Sequence, residues 1–410
     1  MSRKLFVFFC VMLSGVLVNA QSIKYVDASS LTIIGKPIPT EKAFSRIDTA
    51  QYKFSNKTID TYANYSTGLA ILFETDSHVI RAKWTTGSGN SGANMAAIGQ
   101  KGLDLYIMKD GRWVFAGVGS PNMKKAPFNN HEGTIVTDMA DGVKKCLLYL
   151  PLFDRVDALE IGGDESAMIK PMDNPFRYNI IVHGSSITHG ASASRPGMTY
   201  PARFGRDNGY YTCNMGFSGM CKLQKEYAYY LADIKDVDAF IFDTFSNPQA
   251  DVIYENFDQF VDIVRAAHPD VPMIFLQTER REVRNFSLKR EETESAKQKA
   301  AAEVVTARMK TDKHIYFIDS EGFLGDEHIE IVESVFADVT AGEILKPAQG
   351  QQRQHHQAVQ RPLQQLLLLA LVQGIIDPLQ SGLGLGINRL RGFGPVIHRC
   401  SPPMYSARSA

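Results

Sequence analysis

The chain has 410 residues, 44% of them hydrophobic and 21% charged, with 44 Lys and Arg balanced by 44 Asp and Glu. That is the composition of an ordinary globular protein, long enough for two domains or for one domain with large additions. The absence of a basic excess argues against a nucleic-acid partner, which would normally require a basic face or stripe.

The N-terminus reads as a processing signal. Ser2-Arg3-Lys4 is a short basic start, Leu5 to Leu17 is an apolar run, and Val18-Asn19-Ala20 places small residues before Gln21. Residues 1–20 are therefore expected to be a signal peptide cleaved after Ala20, with a periplasmic or secreted mature protein. The apolar run is short for a bilayer span, and no later segment reaches about 18 uninterrupted apolar residues, so no transmembrane segment is expected in the mature chain. Cys146, Cys213, Cys221 and Cys400 would survive processing. Export permits disulfides, and Cys213 with Cys221 could pair locally, but burial as free thiols is the commoner outcome in a chain of this length.

From residue 23 to 165 the pattern predicts an all-β sandwich. Leu69–Glu74, Ser77–Trp84, Leu103–Met108, Arg112–Val118, Gly133–Thr137 and Lys145–Leu150 are short apolar or alternating runs separated by turn residues. Asp110-Gly111 marks a tight hairpin, because both residues tolerate positive φ. Residues 166–177, polar and Pro-containing, read as a linker. The period then changes: Tyr178–Val182, Tyr211–Met215, Ala239–Phe245, Met273–Gln277 and Ile315–Ile318 are strands, alternating with helical segments at Ala250–Ala267 and Leu288–Met309. Strands alternating with helices predict an α/β domain over residues 178–338, with a parallel sheet covered on both faces and its chemistry at the C-terminal strand ends. His268-Pro269 is read as a helix-ending loop, and the charged run Lys289–Lys299 as a solvated helix face. Residues 339–410 look foreign to the rest: glutamines crowd around His355-His356, a leucine run follows, and only Glu343 and Asp377 are acidic after Ala341. Disorder or an out-of-frame reading of the gene would account for such a tail.

Candidate chemistry lies at three successive strand ends. His183-Gly184-Ser185-Ser186-Ile187-Thr188-His189-Gly190 places a serine where a strand gives way to a turn, a position suited to a nucleophile. Asn214-Met215-Gly216-Phe217-Ser218-Gly219 follows the second strand, with glycines that allow close backbone approach to a ligand. Asp243-Thr244-Phe245-Ser246-Asn247-Pro248 follows the third and supplies an amide side chain. Together they form a nucleophile with oxyanion donors.

These blocks resemble the SGNH (GDSL-type) hydrolase superfamily, and specifically its bacterial exported branch with an N-terminal β-sandwich, over roughly residues 25–330. Gly184-Ser185-Ser186-Ile187 stands where that family has Gly-Asp-Ser-hydrophobic, and Gly102-Leu103-Asp104-Leu105-Tyr106 resembles its G-x-D-L-Y signature. The resemblance implies a flavodoxin-like three-layer hydrolase domain behind a jelly-roll-like sandwich. It also implies Ser186 as nucleophile and Gly216 and Asn247 as oxyanion donors beside the Ser186 amide. No metal or organic cofactor is implied; the implied substrate is a small-molecule or glycan ester, most simply an acetyl group on carbohydrate.

One departure concerns the family's closing Asp-x-x-His-Pro block, which supplies the general base and its orienting acid. It is absent after Ile318. Asp326-Glu327-His328 offers the right residue types at the wrong spacing and is the remaining acid/base candidate. Asp338 is followed by Val339-Thr340-Ala341, and His355 and His356 lie in the Gln-rich tract. A serine hydroxyl is a weak nucleophile without a positioned base, so loss or frame-shifting of this block would leave the chain impaired. Finding an intact in-frame tail on resequencing, with no other frame encoding the block, would rule that out. The competing readings are a non-catalytic carbohydrate-binding or surface protein that keeps the fold, and a phospholipid-directed lipase, disfavoured because no amphipathic membrane-facing helix is evident.

Overall fold

A computed structural model of the chain describes residues 22–88, 94–124, 126–279 and 281–319. Among the described residues the N-terminal module contains ten strands and two short α-helices: β1 (Ile23–Asp27), β2 (Thr32–Ile34), α1 (Lys57–Ala63), β3 (Ala70–Thr75), β4 (Ile80–Thr86), α2 (Ala97–Lys101), β5 (Leu103–Lys109), β6 (Arg112–Gly119), β7 (Asn130–Val136), β8 (Lys144–Tyr149), β9 (Val156–Asp164) and β10 (Ile169–Pro171). One sheet runs β1-β9-β4-β7 and the other β10-β3-β8-β5-β6, with β2 added to β3; the pairings are antiparallel. Alternation along β4 shows why the sheets stack. Ile80, Ala82, Trp84 and Thr86 are buried while Arg81, Lys83 and Thr85 are half-buried, so one face is apolar and meets Ile71, Phe73, Leu103, Leu105 and Leu148 of the other sheet. The β5–β6 hairpin turns at Asp110 and Gly111, with φ of 51° and 74°, as the Asp-Gly pair requires.

The expected linker at 166–177 needs correction. Gly162 and Gly163 lie inside β9, where Gly162 pairs with Tyr25 of β1. A Cβ at Gly162 would come within 2.7 Å of the Tyr25 ring, so this glycine marks a close approach between strands. Ile169–Pro171 then adds an edge strand to β3, so part of the polar stretch is sandwich.

The second module is α/β: β11 (Arg177–Gly184), α3 (Ser186–His189), α4 (Tyr200–Asn208), β12 (Tyr210–Gly216), α5 (Lys225–Asp233), β13 (Ala239–Asp243), α6 (Ala250–Ala267), β14 (Met273–Leu276), α7 (Leu288–Met309) and β15 (Ile315–Ile318). Its parallel sheet runs β12-β11-β13-β14-β15, the flavodoxin-like order with a switch point at β11. Helices α5, α6 and α7 cover Ile181, Met215, Phe240, Phe242 and Phe275. Ile187, Tyr200 and Phe204 cover Ile180, Val182, Ile241 and Ile274 on the other face. The long helix α6 shows how the pattern works: Ile253, Phe257, Phe260, Val261 and Val264 form its buried stripe. It stops at His268 because Pro269 follows, and the His268 ring donates to the Leu231 carbonyl at 3.1 Å.

The reading of Lys289–Lys299 as wholly solvated also needs correction, because Glu294 and Lys297 are buried. Glu294 Oε1 accepts from Arg281 Nη1 and Lys297 Nζ, both at 3.1 Å, and this pairing is what permits charged groups on an inward face. Cys146, Cys213 and Cys221 are free and buried.

The G-x-D-L-Y segment docks the modules. Asp104, fully buried, accepts from the Gly197 amide at 2.8 Å, Arg195 Nε at 3.2 Å and Tyr106 Oη at 3.4 Å. Arg206 lies over the Tyr106 ring at 4.0 Å and donates to the Gly197 carbonyl at 2.7 Å. Burial pushes the Asp104 carboxyl up to about 6 against the pull of Arg195.

Candidate active site

The switch point brings the three strand ends together. In the sheet register Gly184 pairs with Gly216 on one side and Asp243 on the other, so the segments carrying Ser186, Gly216 and Asn247 leave the sheet side by side. No residue but glycine fits at 184, where a Cβ would lie 2.8 Å from both Cβ and the carbonyl oxygen of Asp243. Ser186 is the first residue of α3, capped by Ser185, whose hydroxyl accepts the Ile187 amide at 3.3 Å. Its side chain is half-buried, and its hydroxyl has no hydrogen-bond partner among the described residues.

Asp243 holds the turn below Ser186. Its Oδ2 accepts from Thr188 Oγ1 at 2.8 Å and Ser185 Oγ at 3.2 Å, and its carbonyl accepts the Ser185 amide at 3.1 Å. Thr188 also pairs with Tyr200 Oη at 2.9 Å. Burial raises the Asp243 carboxyl above the ordinary range despite these donors. Glu279 is raised as well, by burial first and the neighbouring Asp243 charge second. Two carboxyls buried beside one another resist double ionisation. Neither was given a role from the sequence, since nothing in the linear pattern shows that the ends of β13 and β14 place these acids together.

Gly216 is packed against α3: a Cβ would lie 2.5 Å from His189 Cα and 2.6 Å from the Thr188 carbonyl carbon. Its amide donates to Asn214 Oδ1 at 2.9 Å, so it could serve an oxyanion only by releasing Asn214. Gly219, in the same turn, has a left-handed φ of 70° and nothing within 4 Å of its Cβ direction, which makes it the less obstructed glycine.

The third segment is fixed by a charge cluster that Arg281 forms with α7. The Ser246 carbonyl takes Arg281 Nη2 at 3.3 Å and Lys297 Nζ at 3.4 Å, and Ser246 Oγ pairs with Thr278 Oγ1 at 2.8 Å. Asn247 follows, half-buried, with a buried amide oxygen that has no partner among the described residues.

Both histidines flanking Ser186 are committed elsewhere. His183 donates from Nδ1 to the Met215 carbonyl at 2.9 Å, leaving Nε2 to accept from the Cys221 thiol at 3.4 Å. His189 donates from Nε2 to the Leu152 carbonyl at 2.9 Å and accepts the Ser218 amide on Nδ1 at 3.2 Å, stacked 4.0 Å from Phe153. Burial holds His183 down at about 4 and His189 well below its ordinary value. Neither ring has a nitrogen left for the Ser186 hydroxyl. The acid/base candidates Asp326 and His328 lie outside the described residues. Among the described residues, no group of three or more His, Cys, Asp or Glu is placed to hold a metal ion, and no helix is long and apolar enough to cross a membrane.

Residues 23–169 match the model of the GxDLY domain, described as the N-terminus of an SGNH hydrolase-type esterase, and residues 177–344 match that of the GDSL-like lipase/acylhydrolase family. Among solved structures, a GDSL-like lipase from Bacteroides ovatus is 45% identical, over 75% of this chain and 90% of that one, with a TM-score of 0.72. A salicylyl-acyltransferase from a tetracycline biosynthetic pathway shares the fold at 17% identity, over 85% of this chain and 98% of that one, with a TM-score of 0.59. No curated protein matches the chain.

Proposed function

Because the chain belongs to the GDSL-like lipase/acylhydrolase family, with a GxDLY domain in front of its hydrolase domain, we propose that Ser186 is the nucleophile of an esterase that removes acetyl or other small acyl groups, most simply from carbohydrate. One observation carries this reading. Ser186 stands just past the end of β11, half-exposed and with its hydroxyl unengaged among the described residues, between the segments bearing Gly216 and Asn247.

In the proposed reaction Ser186 Oγ attacks the ester carbonyl, its proton passes to a base, and the tetrahedral oxyanion collapses with loss of the alcohol. Water then attacks the acyl-serine and releases the acid. The Ser186 amide and the Asn247 amide group face the oxyanion, joined by Gly216 once Asn214 lets go, or by the unobstructed Gly219. The base must come from outside the described residues, where Asp326 and His328 are the candidates. The N-terminal signal implies that this chemistry takes place after export, in the periplasm or beyond the cell.

The engagement of His183 and His189 favours a second reading, in which the chain keeps the fold but binds carbohydrate without turnover. Hydrolysis of p-nitrophenyl acetate by residues 21–410, with Ser186→Ala as control, separates the two. Turnover abolished by the substitution supports the esterase, and equal background in both proteins supports the binding-only reading.

A further inference from the structure

The N-terminal module places an arginine directly behind the second strand end of the site. Arg46 lies between β2 and α1 and is 0% exposed. Its Nη1 donates to the carbonyls of Asn214 at 3.0 Å and Gly216 at 2.9 Å, and its Nη2 to the Tyr62 carbonyl at 2.6 Å. The guanidinium carbon sits 4.8 Å from the centre of the Phe217 ring. These acceptors are neutral carbonyls, and Nε has no partner among the described residues.

A buried cation without a carboxylate opposes folding, because carbonyl dipoles replace only part of the hydration it loses. Burial lowers its pKa to about 10, which still leaves it charged at neutral pH. Its field reaches the site already: after burial itself, Arg46 is the next contributor holding His189 in the neutral form. The charge is also coupled to the nucleophile helix. Asn214, whose carbonyl Arg46 holds, donates from its side chain to the Thr188 carbonyl at 2.6 Å and accepts the Gly216 amide.

We propose that Arg46 is a positioning residue for acyl transfer: sealed beneath the Asn214–Gly219 turn, its guanidinium fixes the backbone that faces the oxyanion and supplies the positive potential that favours it. The proposal rests on the Ser186 reading and deepens it. The arginine comes from the sandwich module, so the N-terminal module becomes a working part of the active site. The negative charge that offsets Arg46 is then the one that develops on the substrate, where a pre-placed charge in a low-dielectric site acts with little reorganisation.

The test uses purified residues 21–410 with Arg46→Gln, Arg46→Lys and Ser186→Ala, reading kcat and KM for p-nitrophenyl acetate, the fraction of Ser186 labelled by a fluorophosphonate, and the thermal midpoint. Arg46→Gln is expected to lower kcat per labelled site on the order of tenfold to a hundredfold with KM little changed. Arg46→Lys, which keeps the charge but cannot span the carbonyls, is expected to recover part of the loss. If Arg46→Gln does not accumulate as folded protein, Arg46→Lys carries the test through the same split between kcat and KM. A lower thermal midpoint with unchanged kcat per labelled site would reduce Arg46 to a structural role and overturn the proposal alone. A wild type that neither turns over nor labels, like Ser186→Ala, would overturn the nucleophile reading and this proposal with it.

Discussion

Replacing Glu279 by glutamine should make the protein more stable relative to wild type as pH rises. Glu279 is 5% exposed and its neighbour Asp243 is 2% exposed; burial first, then the Asp243 charge, raise the Glu279 carboxyl, with Arg281 pulling weakly the other way. In the unfolded chain the group titrates near the ordinary glutamate value of about 4.3. Between that value and its raised native value, the folded protein keeps a proton that the unfolded chain has released. Stability from this group is therefore complete at low pH and is lost as pH rises through the window. Wherever Glu279 keeps its proton while the unfolded chain has lost it, stability falls by about 1.4 kcal/mol per pH unit. Glutamine keeps the shape and cannot ionise, which removes this slope and leaves the smaller one from Asp243, raised in the same direction. Urea denaturation of both proteins at several pH values measures the difference directly. Parallel stability curves would refute the claim that Glu279 stays protonated in the fold.

Asp104→Ala should destabilise the chain by about 3 kcal/mol, because it strands the Gly197 amide and Arg195 at the junction of the modules; chemical denaturation would show it, and Asp104→Asn should cost less. Iodoacetamide at pH 8 should leave Cys146, Cys213 and Cys221 unmodified in the native protein and label them in urea. Burial pushes Cys146 up to about 12 and raises the other two thiols as well. Peptide mapping by mass spectrometry reads the result, and native labelling at any of these positions would contradict the packing described.

Local pattern was enough for the elements that close on themselves. Ala250–Ala267 and Leu288–Met309 form helices with the bounds that periodicity and Pro269 suggest, and Asp110-Gly111 turns its hairpin because those residues accept positive φ. The order of motif blocks placed Ser186 at a strand end, since alternating strands and helices leave a parallel sheet little choice of handedness or layering. Where partners are distant in sequence, the linear pattern misled. Ile169–Pro171 read as part of a linker, and only its pairing with β3 shows it to be an edge strand. Lys297 and Glu294 looked solvated because their partner Arg281 and the Ser246 carbonyl reach them only in the fold.

The sequence by itself determined the two-module architecture, the family and the position of Ser186 just past a strand end, because periodicity, turn chemistry and short motifs are written over a few neighbouring residues. Tertiary structure alone decided what surrounds Ser186. Asp243 beneath Ser185, the commitment of His183 and His189 to backbone carbonyls, the amide of Gly216 held by Asn214, and Arg46 inserted 168 residues from Asn214 all depend on burial and on contacts between distant segments. Burial sets the cost of each charge and contact sets its partner, and neither quantity is encoded locally in the chain.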